Sequence, residues 1–180
     1  MRVYPGHSVL QVPVPQLEDF VRARTVHYDR SYLSADPAHV HAHVTALGPF
    51  ADELTPDLER RVAAIAAETP PFDFVLARLG RFADGILHLV PEPDEPFRKL
   101  TARLAAEFPE HPPYAGRYAD PAPHLTLDLV SADVTEASTL ALLGGVLPAR
   151  CRATRLDLAW YRPDATGVLR SWSLGGGPLA

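Results

Sequence analysis

The sequence predicts one α+β domain in which a strand, a helix and a hairpin recur as a unit. Short apolar, β-branched runs alternate along the chain with segments whose apolar residues recur at helical spacing. A His-x-Thr motif also occurs twice, at 43–45 and 124–126, and similar elements follow each copy. With 180 residues the chain is long enough to bury a substantial core, and we expect a single domain spanning 1–180.

The elements follow from hydrophobic period and from the residues that interrupt it. Amphipathic segments, begun by proline or by capping residues, predict four helices: 15–25, 55–68, 94–108 and 133–147. Thr55 is the expected N-cap of the second helix and Pro56 its first residue. Apolar or alternating runs predict the strands: 8–14, 39–45, 72–82, 86–90, 124–130, 154–163 and 168–174. Four of these strands form two hairpins, with turns at 83–85 and 164–167.

The two motifs head units of similar length, which indicates an internal duplication. His43 lies 42 residues before the turn glycine Gly85, and His124 lies 43 residues before Gly167. We place the first unit at about 39–92 and the second at about 120–176. Two such units, related by a pseudo-twofold axis, would set their motif strands face to face across one central cleft.

The composition excludes several classes of function. Apolar residues make up 47% of the chain and charged residues 22%, as in globular proteins. The net charge of −5 argues against bulk binding to nucleic acid, so we expect no DNA partner. We expect no membrane association either, because no apolar run approaches the roughly 18 residues of a span. The N-terminal segment lacks a signal-peptide core and Cys151 is the one cysteine, which favours the cytoplasm.

A duplicated His-x-Thr cleft has the side chains that phosphodiester chemistry needs. An imidazole, with a pKa near 6.5, can accept a proton on one side of a phosphorus atom while a second imidazole donates one on the other. A threonine two residues further along a strand lies on the same face, where its hydroxyl can donate to a phosphate oxygen. His43 and His124 are therefore the candidate acid–base pair, and Thr45 and Thr126 the candidate phosphate-binding residues.

The segments AHVTALGPF at 42–50 and PHLTLDLV at 123–130 resemble the paired signatures of the two-histidine phosphoesterase superfamily, which includes 2′-5′ RNA ligase-like proteins and cyclic phosphodiesterases. The resemblance covers nearly the whole chain. It implies a bilobal fold, with two antiparallel sheets, outer helices and the two motifs in a central cleft. It also implies a metal-independent opening of 2′,3′-cyclic phosphates, with catalytic His43 and His124 and substrate-binding Thr45 and Thr126.

The same resemblance sets the expected partners. The substrate would be a small nucleotide or an RNA end carrying a 2′,3′-cyclic phosphate, the protein would be a monomer, and no cofactor is expected. The RNA ligase members have a longer apolar run after the first motif than ALGPF, which favours phosphodiesterase over ligase activity. The sequence leaves open which histidine is the acid and which is the base.

Two other functions remain open at this stage. His39, His41 and His43 alternate in the first motif strand, so together they could bind a metal ion in a metallohydrolase. Without metal, we expect His39 and His41 at the rim or in solvent. A non-catalytic module that binds nucleotides or RNA ends could keep the same cleft.

Substrate contacts beyond the motifs are less defined by the sequence. Three aromatic residues could stack on a base: Phe50, Tyr114 and Tyr118. Three arginines could approach a phosphate: Arg81, Arg117 and Arg162. The long loop at 109–123 is the expected position of a lid.

Overall fold

The computed structural model describes residues 6–179, and this part of the chain forms eight strands and four α-helices. In chain order they are β1 (His7–Pro13), α1 (Glu18–Tyr28), β2 (His43–Leu47), α2 (Pro56–Glu68), β3 (Phe72–Arg81), β4 (Ile86–Glu92), α3 (Glu95–Glu107), β5 (Leu125–Leu129), α4 (Glu136–Leu143), β6 (Ala149–Ala153), β7 (Arg155–Tyr161) and β8 (Gly167–Ser173). The predicted mixture of helices and antiparallel strands is confirmed.

The prediction of two separate sheets is wrong. All eight strands belong to one sheet with the order β6-β3-β4-β5-β2-β1-β7-β8, and every pairing is antiparallel. The two motif strands, β2 and β5, are neighbours in this order and pair at Val44 and Leu125. A backbone edge buried at this position would leave its N–H and C=O groups without partners, so pairing the two edges is favourable.

Each hairpin pairs beside the motif strand of the other predicted unit, not beside that of its own unit. The hairpin β3–β4 follows the first motif in sequence but pairs with β5, and the hairpin β7–β8 follows the second motif but pairs with β1, beside β2. We call β2-β1-β7-β8 the first half-sheet and β5-β4-β3-β6 the second half-sheet. Each predicted unit therefore crosses from one half-sheet to the other, and the internal duplication stays a prediction.

The two half-sheets share a local irregularity beside each motif. The β1–β2 register shifts between Leu10 and Gln11, which places Gln11 opposite Thr45. The β4–β5 register shifts between Leu87 and His88, which places His88 opposite Thr126. Such bulges bend a strand and reorient its side chains. The strand next to each motif threonine is thus bent at the matching position.

The helices form largely where the sequence predicts them. Thr55 caps α2 by accepting a hydrogen bond from the Leu58 N–H at 3.2 Å, and Pro56 occupies the first turn. In α3 the residues Phe97, Leu100 and Leu104 are buried, as their spacing predicts. The segment 15–17 is instead a 3₁₀ turn, so α1 begins at Glu18. None of the helices within residues 6–179 is long and apolar enough to cross a membrane.

The largest differences lie near the C-terminus. The predicted helix at 133–147 is shorter, because α4 spans only Glu136–Leu143 and is followed by Gly144, whose φ is 46°. A strand that the sequence did not predict, β6, follows and pairs with β3. Gly85 has the predicted turn conformation, with φ at 92°, but Gly167 lies within β8. Its expected role in the second hairpin turn belongs to Asp164, whose φ is 61° and whose N–H donates to the Ser31 carbonyl at 2.6 Å.

The core lies on one face of the sheet and leaves the other for the motifs. Val44 of β2 and Leu125 of β5 are completely buried, in the same cluster as the apolar face of α3. Because strand side chains alternate between faces, the residues on either side of Val44 and Leu125 point away from this core.

Candidate active site

The structure brings the four predicted site residues together at the centre of the sheet. Val44 pairs with Leu125, so the antiparallel register places His43 across from Thr126 and Thr45 across from His124. All four side chains lie on the face opposite the core, and directly opposed residues in such a pair have Cβ atoms about 4.5–5.5 Å apart. The two motifs therefore form a diagonal arrangement, in which each histidine has a threonine from the other motif beside it.

Both imidazoles are held in the same orientation. His43 Nδ1 lies 2.7 Å from the His41 carbonyl oxygen, and His124 Nδ1 lies 2.8 Å from the Ala122 carbonyl oxygen. A carbonyl oxygen only accepts hydrogen bonds, so in each ring Nδ1 carries the proton and donates it. Nε2 is then the nitrogen of each neutral ring that can accept a proton from a bound molecule.

Burial favours the neutral form of both rings. It lowers the pKa of His43 to about 4. The hydrogen bond to the His41 carbonyl raises this pKa and the repulsion from His124 lowers it, and both effects are smaller than that of burial. The pKa of His124 is also lowered by burial, against the carbonyl of Ala122 and the charge of Asp84. In the free protein, both histidines are therefore neutral at pH 7.

The first motif histidine lies beside a buried polar network. The Tyr161 hydroxyl of β7 donates to Gln11 Oε1 at 2.5 Å, and its oxygen lies 3.4 Å from His43 Nδ1. Gln11 is completely buried, and its amide donates to the Val40 carbonyl at 3.5 Å. His7 stacks on the Tyr161 ring with 5.7 Å between centroids. The Nδ1 side of His43 is therefore surrounded by fixed hydrogen-bonding groups.

The second motif histidine lies among aromatic rings. Phe82 contacts the His124 ring edge-to-face at 4.8 Å, and His88 lies at 5.5 Å. The Tyr114 ring is nearly parallel to His124 at 6.2 Å. His88 is buried, and its ring stacks on Phe82 with 3.9 Å between the centroids. The His124 ring is thus fixed by packing and by one carbonyl.

An open pocket of about 600 Å³ adjoins the first motif. Its lining residues are His7, Val9, His43, Thr45, Gly48, Pro49, Tyr114, Ala115, Arg117, Tyr118 and Tyr161. The volume lies within the range of small-molecule sites. Four of these residues come from the loop at 109–123, which therefore lies at the site. The Tyr114 N–H anchors this loop by donating to the Gly48 carbonyl at 2.7 Å.

Only some of the residues expected to contact the substrate line this pocket. Tyr114, Tyr118 and Arg117 line it, whereas Arg81 pairs with Glu136 at 3.3 Å on the surface. Phe50 is buried and packs edge-to-face against Phe108 at 5.0 Å, so the prediction that it could stack on a base is wrong. Apolar packing under the loop explains its position.

His39 and His41 are not at the rim, contrary to the sequence prediction. The strand begins at His43, and both preceding histidines are buried. The Ser34 N–H donates to His41 Nε2 at 3.1 Å, so His41 Nδ1 carries the proton that it donates to Glu18 Oε1 at 2.6 Å. Burial raises the pKa of Glu18, but the hydrogen bonds from His41 and from the Ala42 N–H outweigh it and lower the pKa overall.

This geometry does not support a metal site at the three histidines. Both ring nitrogens of His41 and Nδ1 of His43 already form hydrogen bonds. The ring nitrogens of His39 are buried without hydrogen-bond partners, and the His39 and His41 rings are perpendicular, with 4.8 Å between centroids. Within residues 6–179, no group of three or more His, Cys, Asp or Glu side chains could hold a metal ion.

Several residues of the site carry no signal in the sequence. Gln11, Tyr161 and Phe82 come from strands and turns far from the motifs in sequence, and only the strand order places them beside the histidines. The alternation of side chains along the motif strands does not indicate these residues. It identifies which face of a strand a residue lies on, but not which strand lies beside it.

The fold and the site define an α+β protein with two histidines and two threonines at the centre of one sheet. The chain belongs to the 2′-5′ RNA ligase superfamily, whose sequence model matches residues 13–165. This superfamily comprises phosphoesterases and RNA ligases, and the resemblance to two-histidine phosphoesterases is confirmed. Among curated proteins, no sequence is significantly similar to the chain.

Solved structures share the fold at low sequence identity. A crystal structure of E. coli LigT complexed with 3′-AMP is 17% identical, with a TM-score of 0.54 over 95% of this chain and 99% of that chain. The protein TT0787 of Thermus thermophilus is 20% identical, with a TM-score of 0.58 over 94% of this chain and 98% of that chain. A crystal structure described as a phosphoesterase is 17% identical, with a TM-score of 0.59 over 95% and 99% of the two chains.

Proposed function

We propose that the protein is a metal-independent phosphodiesterase that opens 2′,3′-cyclic phosphates. The observation that carries this proposal is the matched orientation of the two imidazoles. His43 and His124 each fix Nδ1 on the carbonyl two residues earlier and leave Nε2 free on the motif face. Membership of a superfamily that includes cyclic phosphodiesterases supports the same reaction.

The reaction needs one proton on the histidine pair. One neutral imidazole accepts a proton from water at Nε2, and the water oxygen bonds to phosphorus. The bond from phosphorus to the 2′ or 3′ oxygen breaks, and that oxygen takes a proton from Nε2 of the other ring, which must be an imidazolium. The negative charge of a bound phosphate would raise the pKa of both rings. One ring could then become the imidazolium that burial disfavours in the free protein.

The threonines and the pocket complete the proposed substrate complex. Thr45 and Thr126 lie diagonally across the motif face, where their hydroxyls would donate to the two non-bridging phosphate oxygens as charge develops. The nucleoside would occupy the pocket on the first-motif side, where Tyr118 and Tyr114 offer ring faces for a base. LigT has been crystallised with 3′-AMP, which is consistent with a nucleotide in this fold.

The two competing functions have less support. A metallohydrolase that uses His39, His41 and His43 would need a free nitrogen on each ring, but hydrogen bonds occupy both ring nitrogens of His41. A module that only binds nucleotides has no use for two imidazoles in matched orientation, since neither a base nor an acid is needed for binding.

The test is turnover of nucleoside 2′,3′-cyclic monophosphates in excess EDTA, with product analysis of the released 2′- or 3′-phosphate. We expect hydrolysis that survives EDTA and falls by about 10²- to 10⁴-fold in both His43→Ala and His124→Ala. His27→Ala is the matched control, because His27 lies on α1, outside the residues that contact the site.

Three results would contradict the proposal in different ways. Activity abolished by EDTA would indicate a metal site. Activity retained in either motif variant would remove that histidine from the mechanism. Tight nucleotide binding without turnover of cyclic phosphates would favour the binding module.

A further inference from the structure

The pocket beside the first motif carries positive charge, although the chain as a whole is negative. Of its lining residues, none is an aspartate or a glutamate, and Arg117 is the one side chain with a permanent charge. The net charge of the chain is −5. An anion that enters this pocket therefore meets a cation with no carboxylate among the lining groups to neutralise it.

Arg117 differs from Arg98, the arginine that lines the adjacent cavity. Arg98 lines the adjacent cavity beneath the loop, but it pairs with Asp94 at 2.7 Å and with Asp120 at 2.8 Å. Arg117 forms no ion pair with any residue between 6 and 179, and its side chain is exposed to the pocket. Its guanidinium keeps all of its donors available for a ligand.

The backbone of the loop fixes the position from which Arg117 reaches the pocket. Tyr114 and Ala115 have φ values of 51° and 54°, and Gly116 has 74°. Such left-handed conformations are costly for the two non-glycine residues. The Arg117 N–H donates to the Tyr114 carbonyl at 3.2 Å, which closes this turn. This turn therefore holds the Arg117 backbone close to Tyr114, whose ring is nearly parallel to that of His124.

We propose that Arg117 forms a second phosphate subsite, which binds a phosphate on the 5′ oxygen of the nucleoside whose cyclic phosphate is opened. This rests on the proposed function, because the cyclic phosphate must lie between the motifs for the nucleoside to enter the pocket. A guanidinium suits a terminal phosphate, which offers two oxygens for a bidentate contact. The preferred substrate is then a nucleoside 2′,3′-cyclic phosphate with a 5′-phosphate.

The shape and charge of the site favour a mononucleotide over a longer RNA. The 5′ oxygen of an RNA end also bears a phosphate, so both ligands present the same chemistry to Arg117. Binding of a strand, however, uses a basic groove along several phosphates. In the pocket, the described lining offers one permanently charged cation, Arg117. One additional phosphate is what this arrangement accommodates.

The first experiment compares kcat/KM for adenosine 2′,3′-cyclic phosphate with and without a 5′-phosphate, in the intact protein and in Arg117→Gln. We expect the intact protein to favour the 5′-phosphorylated substrate by about tenfold, as a charge-assisted hydrogen bond provides. Arg117→Gln should lose this preference, and Arg117→Lys should recover part of it. Arg162→Gln is the control, since Arg162 is exposed and outside the pocket lining.

The second experiment measures binding, so that it does not depend on turnover. Calorimetric titration with adenosine 3′,5′-bisphosphate and with adenosine 3′-monophosphate should show tighter binding of the bisphosphate, by about tenfold, in the intact protein only. Equal affinity of the two nucleotides would overturn the subsite, even if cyclic phosphates are hydrolysed. A difference that depends on Arg117 in a protein without turnover would support the subsite and contradict the proposed function.

A third arm separates the two sources of the 5′ phosphate. A short RNA with a 2′,3′-cyclic end should be hydrolysed no faster than the 5′-phosphorylated mononucleotide. A preference for the RNA of tenfold or more would contradict the mononucleotide assignment, because it would require contacts with further phosphates.

Discussion

The two half-sheets provide the same backbone frame for a histidine and a threonine but surround the histidines differently. In both, the ring is fixed by a carbonyl two residues earlier, and the neighbouring strand bulges opposite the threonine. In the first half-sheet, His43 contacts the Tyr161–Gln11 network and an open pocket. In the second, His124 is packed by Phe82, His88 and Tyr114. Under the proposed function, the symmetrical part would bind the phosphate, whereas the asymmetrical part would distinguish one side of the substrate from the other.

The sharpest test of the features that the two half-sheets share is substitution of the two motif threonines. Thr45→Val and Thr126→Val each remove one hydroxyl that would stabilise the transition state, so each should lower kcat by about 10²-fold. The two losses, measured with a saturating cyclic nucleotide, should agree within roughly tenfold. Thr154→Val is the control, at an exposed position between β6 and β7. A normal rate in Thr126→Val alone would show that the Thr126 hydroxyl does not stabilise the transition state.

The hydrogen bond between Tyr161 and Gln11 belongs to the first half-sheet, and we expect it to contribute to the stability of the protein. Tyr161→Phe leaves Gln11 Oε1 buried without its donor, so the free energy of unfolding should fall by about 1–3 kcal/mol. Urea denaturation measures this loss. Tyr118→Phe, in the exposed part of the loop, should leave stability within about 0.5 kcal/mol of the original protein. If Tyr161→Phe is equally stable, the Gln11–Tyr161 hydrogen bond is not what holds the His43 surroundings together.

The buried histidines should make the first half-sheet sensitive to acid. Burial lowers the pKa of His39 and of His43 to about 4, below the value near 6.5 in the unfolded chain. The unfolded state therefore binds more protons between these values, and stability should fall as the pH drops from about 6.5 towards 4. Urea unfolding at several pH values should show this slope.

His39→Leu separates the contribution of His39 from that of His43. It removes two buried nitrogens without partners, so we expect the variant to be about 1 kcal/mol more stable at neutral pH and to lose less stability on acidification. His27→Leu provides the comparison on the exposed surface of α1. An unchanged acid slope in His39→Leu would show that His39 does not titrate in this range.

The local features were accessible from the sequence because neighbouring residues determine them. The spacing in α2 and α3, the cap at Thr55 and the glycine turn at Gly85 all depend on residues a few positions apart. The repeated His-x-Thr pattern likewise predicted strands at both motifs, which the structure has at His43–Leu47 and, directly after His124, at Leu125–Leu129. The resemblance to a known superfamily was enough to identify the family.

The tertiary structure decided which strands meet. The pairing of Val44 with Leu125 joins segments 81 residues apart, and it converts the expected two sheets into one. Other long-range contacts bury His39 and His41, place Tyr161 of β7 near His43 through the pairing of β1 with both β2 and β7, and leave the pocket on the side of Arg117. Hydrophobic alternation fixes which face of a strand is buried but not its partner. The sequence by itself therefore determined the candidate reacting groups, and long-range strand pairing determined their surroundings.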